Sequence, residues 1–185
     1  MSADKPEKPP RTRWVPPPLD EAALCDLALH YAARFATTRL KLQRYLARKL
    51  KERGWVGEQP ADLEALTARL IELGYVNDAV FAAMKSRAMA ARGLGHRRVS
   101  EQLSAAGVGA EDRSDAPDEQ AALATALAFA KRKRLGPFAR AVSDDPSVRQ
   151  KALAALLRAG HPMAVARQIL AARSVEEAEA LVGED

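Results

Sequence analysis

Glycines at positions 54, 107 and 160 are spaced 53 residues apart, and each ends a phrase that steps by four along one helix face. The phrases are Leu42, Leu46, Leu50, Gly54; Gly95, Val99, Leu103, Gly107; and Val148, Ala152, Leu156, Gly160. A mostly apolar residue at every fourth position marks one face of a helix. Glycine just past the last of them is the residue best able to take the left-handed conformation that stops it. Repetition at a fixed period predicts a tandem array, in which helical units that cannot bury their faces alone stack on their neighbours.

Composition agrees with an all-α fold. Hydrophobic residues make up 48% of the 185, but alanine dominates them and only 5% of the chain is aromatic, so strands are poorly supplied. The net charge of +5, from 29 Lys and Arg against 24 Asp and Glu, fits an anionic or mixed partner without identifying one. A single cysteine, Cys25, excludes an intramolecular disulfide and a cysteine-built zinc site. Residues 1–18 carry charges and six prolines but no apolar run. They read as a disordered leader, neither secretory signal nor membrane anchor, and the expected location is the cytoplasm.

Along the chain, Asp20 is placed to cap a first helix bearing Leu24, Leu27, Ala28, Tyr31, Ala32 and Phe35. Thr38 opens a second that runs to Gly54, and Pro60 suits the first turn of a third carrying Leu63, Leu66, Leu70 and Leu73. Residues 19–76 therefore form a three-helix module. The second module, 77–117, starts at Asn77, takes Val80, Phe81, Met84 and Ala88 as its first apolar face, turns at Gly93 and Gly95, and runs to Gly107. Its third helix is expected to be shortened or missing, because 110–118 has four acids, a proline and no large apolar residue. The third module, 118–173, has a helix through Leu123, Leu127 and Ala130, a break at Gly136 and Pro137, a helix from Pro146 to Ala159, and one from Pro162 through Val165, Ile169 and Leu170. Ser174 and Glu177 make a capping box for a short acidic segment, 174–185.

The stretch Gly74, Tyr75, Val76, Asn77, Asp78, then Phe81, Ala82, Arg87, the turn Gly93, Leu94, Gly95, and finally Arg98, Val99, Leu103, Gly107 and Val108, resembles the RecX family of bacterial regulators of the RecA recombinase. His96 stands where that family more often has proline, and the resemblance covers about residues 19–172. It implies an elongated array of three-helix modules lying along the groove of a RecA filament on single-stranded DNA. There it is expected to restrain ATPase, strand exchange and coprotease activities.

The residues offer a physical route to such contact. Between Arg34 and Arg53 stand eight basic residues against one acid, Glu52. Lys41, Arg44, Arg48 and Lys51 fall on one stripe opposite Leu42, Leu46 and Leu50, so a core face and a basic face coexist on one helix. The stripe is either a solvated face or a contact surface. The run from Gly93 through Arg97 and Arg98 is either an interhelix turn or a small anion site at a helix start. Lys131, Arg132, Lys133 and Arg134 either complement the negative end of their own helix or meet a partner. The partner-binding candidates are Lys41, Arg44, Arg48, Lys51, Arg87, Arg97, Arg98, Lys131 and Arg132.

No catalytic constellation, metal or cofactor is expected. His30, His96 and His161 lie in different units and read as surface or turn histidines, Cys25 as an inert, partly buried thiol, and Trp55 as packing across a helix end. The expectation is a monomeric binder of RecA filaments, with single-stranded DNA as a further contact, no membrane and no enzymatic activity. Two other classes stay open: a direct DNA-binding protein with steep salt dependence, and a helical adaptor for a peptide.

Overall fold

The computed structural model describes residues 16–113, 115–140 and 145–183. Residues 1–15 of the expected leader, and Glu184 and Asp185 of the acidic segment, lie outside the described residues. Among the described residues are nine α-helices: α1 (Glu21–Arg34), α2 (Arg39–Arg53), α3 (Leu63–Glu72), α4 (Asp78–Ala90), α5 (His96–Ala105), α6 (Glu119–Lys133), α7 (Pro146–Arg158), α8 (Met163–Ala171) and α9 (Val175–Ala180). Among the same residues a single 3-10 turn spans Gly136–Phe138, and the only strand-like pairing is one bridge between Leu19 and Trp55. The chain is all-α, as its composition predicts.

Local chemistry sets most helix starts. Asp20, Thr38, Asn77, Asp118 and Ser174 each accept a hydrogen bond from a backbone N–H in the first turn of the adjoining helix, satisfying donors that the helix itself leaves unpaired. α3 departs from expectation. Asp62, accepting from Ala65 N at 2.9 Å, opens it, and Pro60 lies outside. A capping carboxylate satisfies a donor, whereas proline only avoids presenting one, so the cap wins.

The buried apolar residues gather in three clusters. Leu19, Leu24, Ala28, Leu42, Leu46, Leu70 and Val76 form one; Phe81, Ala82, Met89, Val99, Leu103, Ala106 and Val108 a second; and the third is built on α6, α7 and α8 around Ala126, Leu156, Ala166 and Ile169. In the first and third, a third helix (α3 or α8) packs on the second (α2 or α7). The middle cluster has no such helix, because the described part of the connection from Ala106 to Asp118 holds only turns. The sequence-based choice of α4's inner face is corrected. Phe81, Ala82 and Met89 are buried, while Val80, Met84 and Ala88 face outward. Val148, at the head of the third repeat phrase, is exposed as well.

The repeated glycines work as the register predicts and in a more specific way than stopping a helix. Gly54, Gly107 and Gly160 all have left-handed backbones, with φ of 84°, 85° and 95°. At two of them the end of one helix meets the start of another. Gly95 N, at the head of α5, donates to Ala159 O at the end of α7 (2.9 Å), and the Arg97 guanidinium donates to Leu157 O at 2.7 Å. Thr38 Oγ1, at the head of α2, donates to Ala106 O at the end of α5 (2.5 Å) while accepting from Lys41 N. A side chain at Gly160 would collide with the backbone nitrogen of Arg98, and one at Gly107 with Leu40. At Gly54 no helix start arrives among the described residues. Leu19 fills that place instead, its N–H donating to Gly54 O at 3.0 Å, and Pro17 O accepts from Arg53 Nε at 2.7 Å.

His161 locks the α5–α7 junction. It lies in the turn between α7 and α8 and is only 3% exposed, so of the two readings, surface or turn, the turn holds and the surface does not, and its Nε2 donates to Gly93 O at 3.0 Å beside the Phe129 ring. A carbonyl accepts only, so Nε2 carries the proton. In the neutral ring Nδ1 is then a bare acceptor, and it has no partner among the described residues. Burial holds the imidazole below its ordinary pKa of 6.5, the Gly93 bond opposing this only in part.

Substitutions at two glycines separate backbone strain from collision. Gly160→Ala should destabilise the protein by about 2–4 kcal/mol, combining left-handed strain with collision against α5. Gly74→Ala, at φ 78° but with nothing within 4 Å, should cost only about 1 kcal/mol. Thermal melts of both variants compare them, and equal losses would show that the junction is not tightly packed. For His161 the unfolded chain binds a proton more readily than the folded one. Stability should therefore be level above the unfolded value of 6.5 and fall as pH drops below it towards the lowered folded value. His161→Gln, which keeps a donor for Gly93 O, should flatten that part of the melting-temperature profile, and an unchanged acid slope would assign it to other groups.

Candidate partner-binding surface

The nine candidate cations do not form one uniform face, because the fold uses several of them itself. Arg97 is engaged at the α5–α7 junction and lies 4.0 Å from Glu101, which also pairs with Arg98 at 3.3 Å. Arg44 reaches towards the equivalent place one junction earlier, 3.5 Å from Ala105 O. A guanidinium at a helix C-terminus meets carbonyls with no partner of their own and the negative end of the helix dipole. The Gly93–Arg98 run is thus an interhelix turn, two of whose donors, Gly95 N and the Arg97 guanidinium, serve carbonyls at the end of α7. Lys131 pairs with Glu179 at 2.6 Å, joining α6 to α9, and lies over the Phe138 ring, while Arg132 lies over Phe129.

On α2 the cations divide. Arg48 sits 3.5 Å from Glu52 and near the Tyr45 ring; Lys49 takes the other oxygen of Glu52 at 2.6 Å, and that bond above all keeps the carboxyl below its ordinary pKa. Arg39 bridges to Glu64 on α3. Exposed pairs of this kind contribute roughly 0–1 kcal/mol each, so they neutralise charge more than they hold the fold. Lys51 is exposed with no carboxylate partner among the described residues, and Arg87 on α4 is the same.

Lys41 is the most constrained of the set. Its ammonium lies 4.5 Å from the centroid of the Phe81 ring on α4, a cation–π contact between α2 and α4. Burial first, then the like charge of Lys85, lowers its pKa. Lys85 stood outside the sequence-derived candidates, since only the meeting of α4 with α2 through Asp78 and Phe81 brings its charge to bear on Lys41. Close by, Asp78 accepts from Arg39 N at 2.9 Å, so the carboxylate that begins α4 also caps α2. Burial raises the Asp78 pKa, with the Arg39 bond opposing and Asp112 adding to the rise.

This arrangement can present exposed cations to an anionic or acidic partner. No group of three or more His, Cys, Asp or Glu side chains able to hold a metal occurs among the described residues, and none of their helices is long and apolar enough to cross a membrane.

No protein-family model matches the chain. It is 36% identical over 171 residues to the protein named regulatory protein RecX from Myxococcus xanthus (strain DK1622), a match covering 88% of this chain and 89% of that one. A likeness of that strength along nearly the whole length shows that this chain belongs to the RecX family of regulatory proteins.

Proposed function

We propose that this chain binds RecA filaments on single-stranded DNA and restrains their ATP hydrolysis, strand exchange and coprotease activity, acting as a monomeric cytoplasmic binder and not as a catalyst. The observation that carries the reading is the near full-length likeness to a RecX regulatory protein. The division into modules at 19–76, 77–117 and 118–173, followed by the segment 174–185, belongs to the same proposal. The three separate apolar clusters support it.

Lys51 on α2 and Arg87 on α4, exposed and without a side-chain hydrogen bond, ion pair or ring contact among the described residues, together with the loosely paired Arg48, are the ones available to a partner. Lys41, Arg44, Arg97, Arg98, Lys131 and Arg132 are candidates that also serve intramolecular contacts.

In a RecA ATPase assay on single-stranded DNA, the protein should lower turnover at roughly stoichiometric amounts or below. Unchanged hydrolysis and unchanged coprotease cleavage at large excess would end the regulatory reading. The double variant Arg48→Glu, Lys51→Glu should keep its melting temperature, because both side chains are exposed, and lose much of its effect by replacing attraction with repulsion. Leu103→Ala, at a buried position of α5, should instead lose about 2–5 kcal/mol of stability first and inhibition only as a consequence. A double variant that inhibits fully would mark this part of α2 as a solvated face.

A further inference from the structure

α4 is apolar on two faces, and its neighbours cover one. Phe81, Ala82 and Met89 point inward, with Phe81 only 6% exposed. Val80 and Met84, one turn apart, are 64% and 47% exposed, and Ala88 continues the same line. Leu73 and Tyr75, in the connection leading into α4, are exposed too. Single exposed apolar residues are ordinary, but a stripe at i, i+4 and i+8 on one helix is the pattern that helices use to meet other helices.

The stripe is bordered by cations on both sides. At about 100° per residue, Arg87 falls beside Val80 and Met84 on the side away from Phe81. On the other side lies Phe81, with the Lys41 ammonium over its ring. Lys85, on the same helix as Phe81, acts on Lys41 by its like charge, and neither lysine has a carboxylate partner among the described residues. Two ammonium groups held near one another repel, and an incoming carboxylate would relieve that repulsion.

From this juxtaposition we infer that the outward face of α4, Val80, Met84 and Ala88 between Lys41 and Arg87, is a docking surface for an acidic, amphipathic segment of the protein partner. The inference rests on the proposed function for the identity of that partner, the RecA subunits of the filament. Charge complementarity selects the occupant. A second copy of this chain would bring the same cations to a shared two-fold interface, and the whole chain carries +5. Single-stranded nucleic acid binds along successive aromatic platforms, whereas Val80, Met84 and Ala88 carry no ring and Tyr75 is the one aromatic residue in the connection before them.

The test compares wild type with Val80→Ser, Met84→Ser in the full chain, measuring binding to RecA filaments on a single-stranded oligonucleotide, binding to the naked oligonucleotide, melting temperature and solution mass. The expected result is filament affinity reduced by about tenfold or more, the scale of losing central interface residues. Melting temperature and naked-oligonucleotide affinity should be unchanged. Arg87→Glu, on the helix surface, should weaken filament binding as well, and it decides the matter if the double variant fails to fold. Filament affinity equal to wild type overturns the inference. So does an equal loss on the naked oligonucleotide, which would make the face a nucleic-acid surface, or a wild-type dimer that the double variant dissociates, which would make it a self-interface. A wild-type chain that binds no filament overturns this inference and the proposed function together. Loss confined to the α4 variants leaves that function standing.

Discussion

Helix ends carry unpaired carbonyls, and this fold disposes of them by setting the start of one helix against the end of another. At the end of α7, Ala159 O takes the Gly95 N–H and Leu157 O takes the Arg97 guanidinium; at the end of α5, Ala106 O takes the Thr38 hydroxyl. Each contact joins the negative end of one helix dipole to the positive end of another, so the electrostatics and the hydrogen-bond accounting favour the same geometry. The approach is close enough that only glycine fits. A Cβ on Gly95 would strike the Gly160 backbone, and one on Gly93 the backbone of Phe129. The Gly-x-Gly turn is thus shaped by α6 and α7, which lie far from it in sequence.

The middle cluster depends on these junctions more than the outer ones do. Without a third helix on α5, its only partly buried apolar neighbour among the described residues is Leu94, which also packs on the third cluster. Leu94, Gly95, Arg97 and His161 therefore hold α4 and α5 to the α6–α8 cluster, while Thr38 and Asp78 hold them to α2. A unit fastened mainly at its ends is one whose position responds to whatever grips those ends.

Much of the fold was legible because local physics decides it. Asp20, Thr38, Asn77 and Ser174 announce helix starts whatever surrounds them, and glycine at a fixed period announces left-handed ends. The features that stayed hidden depend on distant chain. Val80, Met84 and Ala88 have as good a helical spacing as Phe81, Ala82 and Met89, and periodicity cannot say which face a neighbour will cover. The place of His161 depends on Gly93 O, 68 residues away along the chain, and the effect of Lys85 on Lys41 depends on the meeting of α4 with α2 at Asp78 and Phe81.

Charge, with the resemblance that picks out Arg87 and Arg98, marks the candidate surface in the sequence, and charge does not reveal which cations already have work. Arg44 and Arg97 look interchangeable with Lys51 and Arg87 in sequence, yet the first two reach carbonyls at helix ends. Reversing Arg97 would remove a junction bond and a surface charge in one step, so loss of binding in that variant would not separate a damaged joint from a lost contact. Lys51 and Arg87 make no such bond among the described residues. A change in binding at those positions reports on the surface itself, whereas the junction arginines report on whether the modules are held in the arrangement that the surface requires.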